Sequence, residues 1–249
     1  MSVFRHEIRN QIWGGWITGP TLIGPEEFAR AGYDYVGFDA QHGYLDDADV
    51  AAMLRRLEHV PIATAVRLPN ADPAPIGRVL DAGADAVIIA MIETADQAAA
   101  AVAATRYPPA GIRSFGPLRA SLGYERSALQ DRVSVFVMIE TAAALDNLGA
   151  ICAVDGLAGI YVGPADLALS IGVDALGATG HPEVLEAITR VHRAASDAGL
   201  VTGIHASSGE TGKTMARLGF QMITLAAESQ ALRRGAAEHL REAREADSQ

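Results

Sequence analysis

The chain has 249 residues, 49% of them hydrophobic and 20% charged, which suits one large α/β domain or two small ones and not a disordered chain. A formal net charge of -10 at pH 7 argues against a nucleic-acid or anionic-membrane partner, because both favour basic patches. No run of 18 or more apolar residues occurs, and the first ten residues lack the apolar region of a signal peptide, so we expect a cytoplasmic protein.

Two residue counts restrict the chemistry. Lys213 is the only lysine, and it follows the turn-like SSGETG at the start of a predicted helix, a poor place for the desolvated amine of a Schiff-base enzyme. The single cysteine, Cys152, lies between apolar neighbours and is interpreted as a packed, inert thiol. The segment SSGETGKT resembles a phosphate loop, but Ser207 replaces its first glycine, so a nucleotide site is disfavoured.

After a short N-terminal helix, β-rich apolar runs alternate with Ala/Leu-rich stretches of helical period about eight times. The predicted strands are Trp13–Thr18, Tyr35–Asp39, Ala63–Leu68, Ala86–Met91, Val133–Ile139, Gly159–Val162, Val201–His205 and Met222–Ala226. The predicted helices are residues 25–31, 46–58, 73–82, 94–105, 141–150, 182–198, 209–218 and 228–243.

Eight successive βα units predict a (β/α)8 barrel. The competing architecture is an open doubly wound sheet, and no G-x-G-x-x-G follows the first strand to favour it. We assign one domain, residues 1–249, with the short N-terminal helix and a polar C-terminal tail. The one long irregular segment, Tyr107 to Ser127, has the length expected of an interface or of a lid over a neighbouring copy's site.

Polar residues at the C-terminal ends of the strands are the candidates for an active site in such a barrel. They are Asp39, His42, Arg67, Glu93, Glu140, Asp166 and His205. Glu140 and Asp166 each follow an apolar strand, and either acid alone could simply cap the next helix. Together they favour a hard divalent cation, because a buried carboxylate needs a partner and carboxylate oxygens suit Mg2+ or Mn2+.

An arginine and a histidine complete the predicted site. Arg67 can hold a substrate carboxylate through two parallel hydrogen bonds, and His42 can transfer protons near neutral pH. Taken alone, His42 would more often be structural, Arg67 could be a surface residue, and Glu93 is interpreted as a helix-start acid. In combination, the group predicts stabilisation of an enolate derived from a 2-oxo acid.

The same residues lie in segments that resemble a known family. The segments are FDAQHG, AVRLPNADP, RVLDAGADAVIIAMIETADQA, ATRYPPAGIRSFG, IETAAALDNL, GIYVGPADLALSIG and GHPEV. In order and spacing they resemble the motifs of the HpcH/HpaI aldolases, metal-dependent (class II) pyruvate aldolases with barrels of the phosphoenolpyruvate/pyruvate superfamily type. The resemblance implies Glu140 and Asp166 as metal ligands, Arg67 as the essential arginine, His42 as acid/base, Asp39 and Asp81 as acids that neighbour or orient the histidine, and backbone contacts to the pyruvate carboxylate from Gly163, Ala165 and Asp166.

Two positions depart from that family pattern. Gln41 stands where the family usually has an acid, and Met138 stands where it often has glutamine. Neither change removes a metal ligand or the arginine, but both change the polarity beside the metal, so they predict a shifted donor or acceptor specificity. His205 stands at a strand end where we expect a smaller apolar residue, and it could restore a polar contact.

The resemblance implies a lyase that adds pyruvate, or a related 2-oxo acid such as hydroxypyruvate, to an aldehyde, with Mg2+ or Mn2+, or Co2+ or another divalent ion, as cofactor. It also implies a homo-oligomer, a hexamer built as a trimer of dimers with exchanged terminal helices. One alternative is an acyl-CoA lyase or a 2-oxo diacid decarboxylase on the same barrel, and the acidic chain disfavours the CoA lyase, which needs a basic groove for the nucleotide phosphates. The other alternative is a non-catalytic binding barrel.

Overall fold

Eight parallel strands form a closed barrel in chain order, β1 beside β2 and so on around to β8, which pairs with β1. The computed structural model describes residues 3–4, 11–21 and 23–245. The strands are β1 (Ile12–Ile17), β2 (Tyr35–Asp39), β3 (Ala63–Leu68), β4 (Ala86–Ile89), β5 (Ser134–Ile139), β6 (Gly159–Val162), β7 (Val201–His205) and β8 (Met222–Ala227). The predicted (β/α)8 barrel is therefore confirmed.

Helices follow the strands and cover the outside of the barrel. They are α1 (Gly24–Arg30), α2 (Asp47–Arg56), α3 (Pro73–Asp81), α4 (Ala95–Thr105), α5 (Arg126–Asp131), α6 (Ala142–Asp146), α7 (Leu148–Cys152), α8 (Pro164–Ser170), α9 (Pro182–Asp197), α10 (Gly209–Leu218) and α11 (Glu228–Glu245). No helix within the described residues is both long enough and apolar enough to cross a bilayer. The predicted N-terminal helix and the last four residues of the predicted polar tail lie outside the described ranges.

The predicted helix 141–150 is wrong in one respect, because it is divided into α6 and α7 at Asn147. The Asn147 side-chain amide donates hydrogen bonds to the carbonyls of Glu93 and Ala143, at 2.9 and 3.2 Å. Such side-chain bonds to the backbone compete with a continuous helix. Helices α5 and α8 were not predicted, since each has seven residues or fewer and shows no periodic pattern of useful length.

Side chains alternate along each strand between two cores. On β7, Ile204 packs in the outer core under the helices, whereas Val201 belongs to the inner core that fills the barrel. His205 lies four residues after Val201, on the same side of the strand, and therefore faces the interior of the barrel at its C-terminal end. Inside the barrel, the Thr224 hydroxyl lies 2.7 Å from both the Tyr35 and the Tyr161 hydroxyls, so these buried polar groups are satisfied by one another.

Glycines inside the barrel make room for aromatic rings. A Cβ atom on Gly37 would lie 2.2 Å from the Trp16 ring. A Cβ atom would likewise overlap an aromatic ring at three other glycines: Gly14 against Tyr35, Gly159 against Phe136 and Gly203 against Tyr161. Each glycine and its aromatic partner thus share one volume, as close packing of a barrel interior requires.

Gly37→Ala should lower the free energy of unfolding by about 1–3 kcal/mol, because the added methyl overlaps a Trp16 ring that a hydrogen bond to Asp39 fixes in place. The matched control is Gly77→Ala on α3, where a new Cβ meets nothing within 4 Å. That change should stabilise the protein by about 0.5–1 kcal/mol. Urea unfolding of the three proteins measures both effects, and equal midpoints for Gly37→Ala and the wild type would contradict the packing argument.

Candidate active site

A cavity of about 560 Å3 opens at the C-terminal ends of the strands, where (β/α)8 enzymes carry their active sites. Most of the predicted site residues line it: Asp39, His42, Arg67, Gly163, Ala165, Asp166 and His205. Glu140 lies directly behind Gly163, since a Cβ on that glycine would be 2.5 Å from Glu140 Oε2. Asp81 lies elsewhere.

Asp39 and Arg67 form a buried ion pair at neighbouring positions of β2 and β3. Asp39 Oδ1 accepts a hydrogen bond from Arg67 Nε at 3.0 Å, and Oδ2 accepts one from Nη2 at 2.5 Å. Asp39 is 2% exposed, and the Arg67 side chain is 13% exposed. Because Nε and Nη2 are turned toward Asp39, the remaining N–H groups on Nη1 and Nη2 are the ones that Arg67 can offer to a ligand.

Three further groups converge on the Asp39 carboxylate. The Trp16 indole N–H donates to Oδ2 at 3.1 Å, and the backbone N–H groups of Gln41 and His42 donate to Oδ1 at 3.0 Å. Burial by itself raises the pKa of Asp39, but the hydrogen bond and charge of Arg67, with the bonds from His42 and Trp16, hold that pKa below its ordinary value. Asp39 is therefore an anion that fixes the arginine and the loop carrying His42.

His42 is exposed and lines the cavity from the loop after β2. Asp39 bonds to its backbone and not to its ring. The ring makes no hydrogen bond to any other residue that the structure describes. It is consequently free to exchange a proton with a ligand or with water in the cavity.

Glu140 is as buried as Asp39 but has fewer hydrogen-bond partners. It is 1% exposed, its Oε1 accepts a hydrogen bond from the Met91 backbone N–H at 2.8 Å, and its Oε2 is buried without a hydrogen-bond partner. Burial raises the pKa of Glu140, the Met91 N–H opposes that rise, and the nearby charge of Asp166 adds to it. Met91 has a left-handed backbone, with φ of 56°, which is a strained conformation for a residue other than glycine.

The turn after β6 places Asp166 in the first turn of α8, which begins at Pro164. Proline at a helix start costs no hydrogen bond, and an acid in the first turn is favoured by the helix dipole. The close approach of Gly163 to Glu140 leaves no room for a side chain at that position. The turn therefore brings Asp166 beside Glu140 and leaves Ala165 exposed at the wall of the cavity.

Glu140 and Asp166 fit a divalent cation on the chemistry of their oxygens. An orphan oxygen on a buried acid, beside a second acid, is the arrangement that a cation completes. Among residues 3–4, 11–21 and 23–245, no group of three or more His, Cys, Asp or Glu side chains converges on one point. A cation held by these two acids would therefore take its other ligands from water and substrate oxygens, as Mg2+ usually does.

The structure does not bring Asp81 into the cavity. Asp81 ends α3, and β4 begins five residues later, so it lies at the opposite end of the barrel from His42. Its Oδ1 accepts a hydrogen bond from Arg113 Nη2 at 2.7 Å, and Arg113 stacks on the Tyr107 ring at 4.8 Å. Burial raises the pKa of Asp81, against the bond and charge of Arg113. A role in orienting His42 of the same chain does not follow from this position.

Trp16 and Tyr161 were missed by reasoning from the sequence, yet both line the cavity. Their rings stack with centroids 6.3 Å apart, and the Arg67 guanidinium lies 5.4 Å from the centre of the Trp16 ring. The sequence of β1 holds two tryptophans among glycine and isoleucine, and the available signal was that a buried indole N–H needs an acceptor. Its acceptor, Asp39, is 23 residues away in the chain.

Lys213 and Cys152 lie outside the cavity. Lys213 is exposed on α10, in a segment that follows the seventh strand of a closed barrel, unlike the loop after an early strand that a phosphate loop requires. Cys152 is buried at the end of α7, and burial raises the pKa of its thiol to about 11. Neither residue is placed to act as a nucleophile in the cavity.

Comparisons with known proteins agree on one family. The family described as HpcH/HpaI aldolase/citrate lyase matches residues 14–234. A hydroxypyruvate/pyruvate aldolase of Rhizorhabdus wittichii is 38% identical over 92% of this chain and 93% of that protein. A 4-hydroxy-2-oxovalerate aldolase of Rhodococcus jostii is 41% identical over 80% and 79% of the two chains. The crystal structure of an HpcH/HpaI aldolase/citrate lyase family protein from Burkholderia cenocepacia has a TM-score of 0.89 and 33% identity, covering 97% of both chains.

Asp39→Asn should lower the free energy of unfolding at pH 7 by about 3 kcal/mol, because Arg67 then stays buried without a counter-charge. The lowered pKa of Asp39 means that its contribution is present above the ordinary aspartate pKa and is lost as the pH falls through the folded value. The difference between the two proteins should therefore narrow below about pH 4. Urea unfolding at pH 7 and at several pH values below 5 measures this difference, and a difference independent of pH would argue against the ion pair.

Proposed function

Because the chain belongs to the HpcH/HpaI aldolase/citrate lyase family, we propose that its cavity adds pyruvate, or a related 2-oxo acid such as hydroxypyruvate, to an aldehyde. The chain is a lyase of the pyruvate-aldolase type. In the cleavage direction the substrate is a 4-hydroxy-2-oxo acid. The observation that carries the proposal is the pair Glu140 and Asp166, in which a buried carboxylate oxygen without a partner lies next to a second acid at the wall of the cavity.

Glu140 and Asp166 are the residues that would hold a divalent cation, Mg2+ or Mn2+. When bound, such a cation supplies a positive charge that stabilises developing negative charge on the ketone oxygen of the substrate. The raised pKa of Glu140 supports this assignment, since the carboxylate is ionised at little cost only when a cation compensates its burial.

The chain's own groups bind and orient the substrate. The free N–H groups of Arg67 donate to the ketone oxygen of the substrate from the β3 side, because Asp39 fixes the plane of the guanidinium group. The backbone at Gly163, Ala165 and Asp166 supports binding of the 2-oxo acid's carboxylate, where the start of α8 favours a negative charge. A small, charged substrate thus has a donor for each of its oxygens.

His42 moves the proton. Acting through water, it accepts the proton of the 4-hydroxyl group as the C3–C4 bond breaks, which gives an aldehyde and the enolate of the 2-oxo acid. The enolate then takes a proton at C3, and in the synthetic direction the same steps run in reverse. Exposure of the His42 ring to the cavity supports this role.

We also propose a homo-oligomer, a hexamer built as a trimer of dimers, that assembles through α11. None of the residues of this 18-residue helix is buried. Leu232, Ala236, Leu240 and Ala243 nevertheless form an apolar stripe at helical spacing, and Leu232 is 75% exposed. A stripe of this kind is normally covered, and a second copy of the chain is the proposed cover. The cytoplasmic location stays a prediction.

The proposed lyase should cleave 4-hydroxy-2-oxovalerate to pyruvate with Mg2+ or Mn2+, and excess chelator should reduce that rate at least about a hundredfold, since loss of a charge-stabilising group typically has such an effect. Glu140→Gln should lose both the activity and the rise in melting temperature on adding Mn2+. Glu93→Gln, which changes another strand-end acid outside the cavity, is the matched control and should keep both. Equal cleavage with and without chelator would refute the metal-assisted mechanism, and a wild-type thermal shift in Glu140→Gln would refute the ligand assignment.

Light scattering coupled to size exclusion tests the assembly. The wild type should elute at a multiple of the chain mass of 26.1 kDa, six chains for the proposed hexamer. A double change, Leu232→Glu with Leu240→Glu, places charge on the α11 stripe and should give smaller species at micromolar concentration. Arg234→Glu with Arg241→Glu is the control, because both arginines lie on the face of the same helix opposite the stripe. A monomeric wild type, or a double leucine variant of unchanged mass, would contradict the proposal.

A further inference from the structure

His205 is a polar residue of the cavity to which the mechanism gives no task. It ends β7 on the face that points into the barrel, and it lines the cavity with Trp16 and Arg67. The His205 and Trp16 rings make an edge-to-face contact, with centroids 5.3 Å apart and planes at 84°. Trp16 is itself held by its bond to Asp39, so the position of the His205 ring is fixed by packing against a fixed partner.

The hydrogen-bonding capacity of this ring is unused. No other residue that the structure describes forms a hydrogen bond with either ring nitrogen of His205. Burial lowers the pKa of His205 to about 4, the charge of Arg67 lowers it further and Asp39 opposes the change. The imidazole is consequently neutral at physiological pH, with one N–H donor and one nitrogen acceptor available in the cavity.

The layout of the site assigns the part of the substrate that reaches His205. In the proposed binding mode, the acids after β5 and β6 and the turn that begins α8 hold the oxygens of the 2-oxo acid, and Arg67 on β3 binds the ketone oxygen. The wall opposite Arg67 is formed by β7, which lies next to β6 and carries His205. The carbon next to the ketone, C3, and its substituent are the part of the donor left to face that wall.

We propose that His205 is a donor-specificity residue, which hydrogen-bonds a hydroxyl group on C3 of the 2-oxo acid and makes hydroxypyruvate a better donor than pyruvate. The proposal rests on the proposed aldolase function. A hydroxyl group is both a donor and an acceptor and can satisfy the neutral imidazole, whereas the methyl group of pyruvate leaves its nitrogens desolvated and unpaired. A site with a hydrogen-bonding group discriminates strongly against an analogue that lacks the matching hydroxyl.

The test is exchange of the C3 protons of each donor with D2O, measured by NMR in the presence of Mg2+. Each donor is supplied alone, so no aldehyde has to be chosen. The wild type should exchange hydroxypyruvate with the higher kcat/KM. His205→Phe keeps a ring against Trp16 but removes both nitrogens, and it should reduce the ratio of the two kcat/KM values roughly tenfold or more. His205→Gln retains a donor and an acceptor and should keep part of the preference. His59→Phe makes the same change at an exposed position far from the cavity and should leave the ratio unchanged.

Several outcomes would overturn the proposal. One is a wild type that prefers pyruvate, and another is an unchanged ratio of the two kcat/KM values in His205→Phe. The third is an equal loss of kcat/KM with both donors, which would indicate a role of His205 in proton transfer. Circular dichroism checks folding, and His205→Leu replaces His205→Phe if the larger ring is not accommodated. Failure of the proposed function has a different signature, since the wild type would then exchange neither donor.

Discussion

The buried pair of Asp39 and Arg67 is the constraint on which the site depends. The register between β2 and β3 sets the two residues side by side, and the carboxylate then accepts five hydrogen bonds, from Arg67, Trp16 and two backbone N–H groups. Removing two charges from water is expensive, and only such complete satisfaction offsets it. The result is an arginine, a tryptophan ring and a loop carrying His42 that are all oriented by one side chain.

Asp39 and Glu140 show how the environment separates two carboxylates of similar burial. Asp39 has its counter-charge within the chain, and its pKa is lowered. Glu140 has one backbone donor and an acidic neighbour, and its pKa is raised. A group that the fold leaves uncompensated, at the edge of a cavity, is where a ligand has most to contribute. The difference in partners, more than the shared residue type, distinguishes the structural acid from the one available for binding.

The strands could be predicted from the sequence because a strand of a parallel barrel is buried on both faces and appears as an unbroken apolar run. The site could be predicted in outline because the polar residues that end such runs meet at one end of the barrel. Contacts between elements that are distant in the chain could not be predicted from the sequence. The apolar letters of β4 continue to Met91, but the strand ends at Ile89 because Met91 turns to bond with Glu140. Asp81 resembles a site residue by its motif, and only the direction of α3 shows that it lies at the other end.

The interior of the barrel also limits how this protein can change over time. Each interior glycine and its aromatic partner divide a single volume, as Gly37 does with Trp16 and Gly203 with Tyr161. Residues that share a volume do not contribute independently to stability, so the effect of changing one depends on which residue occupies the other position. Exchange of a large and a small residue within such a pair is accessible only through coupled substitutions. The interior of the barrel beneath the candidate site is thus expected to evolve in pairs, while the cavity wall above it can vary one residue at a time.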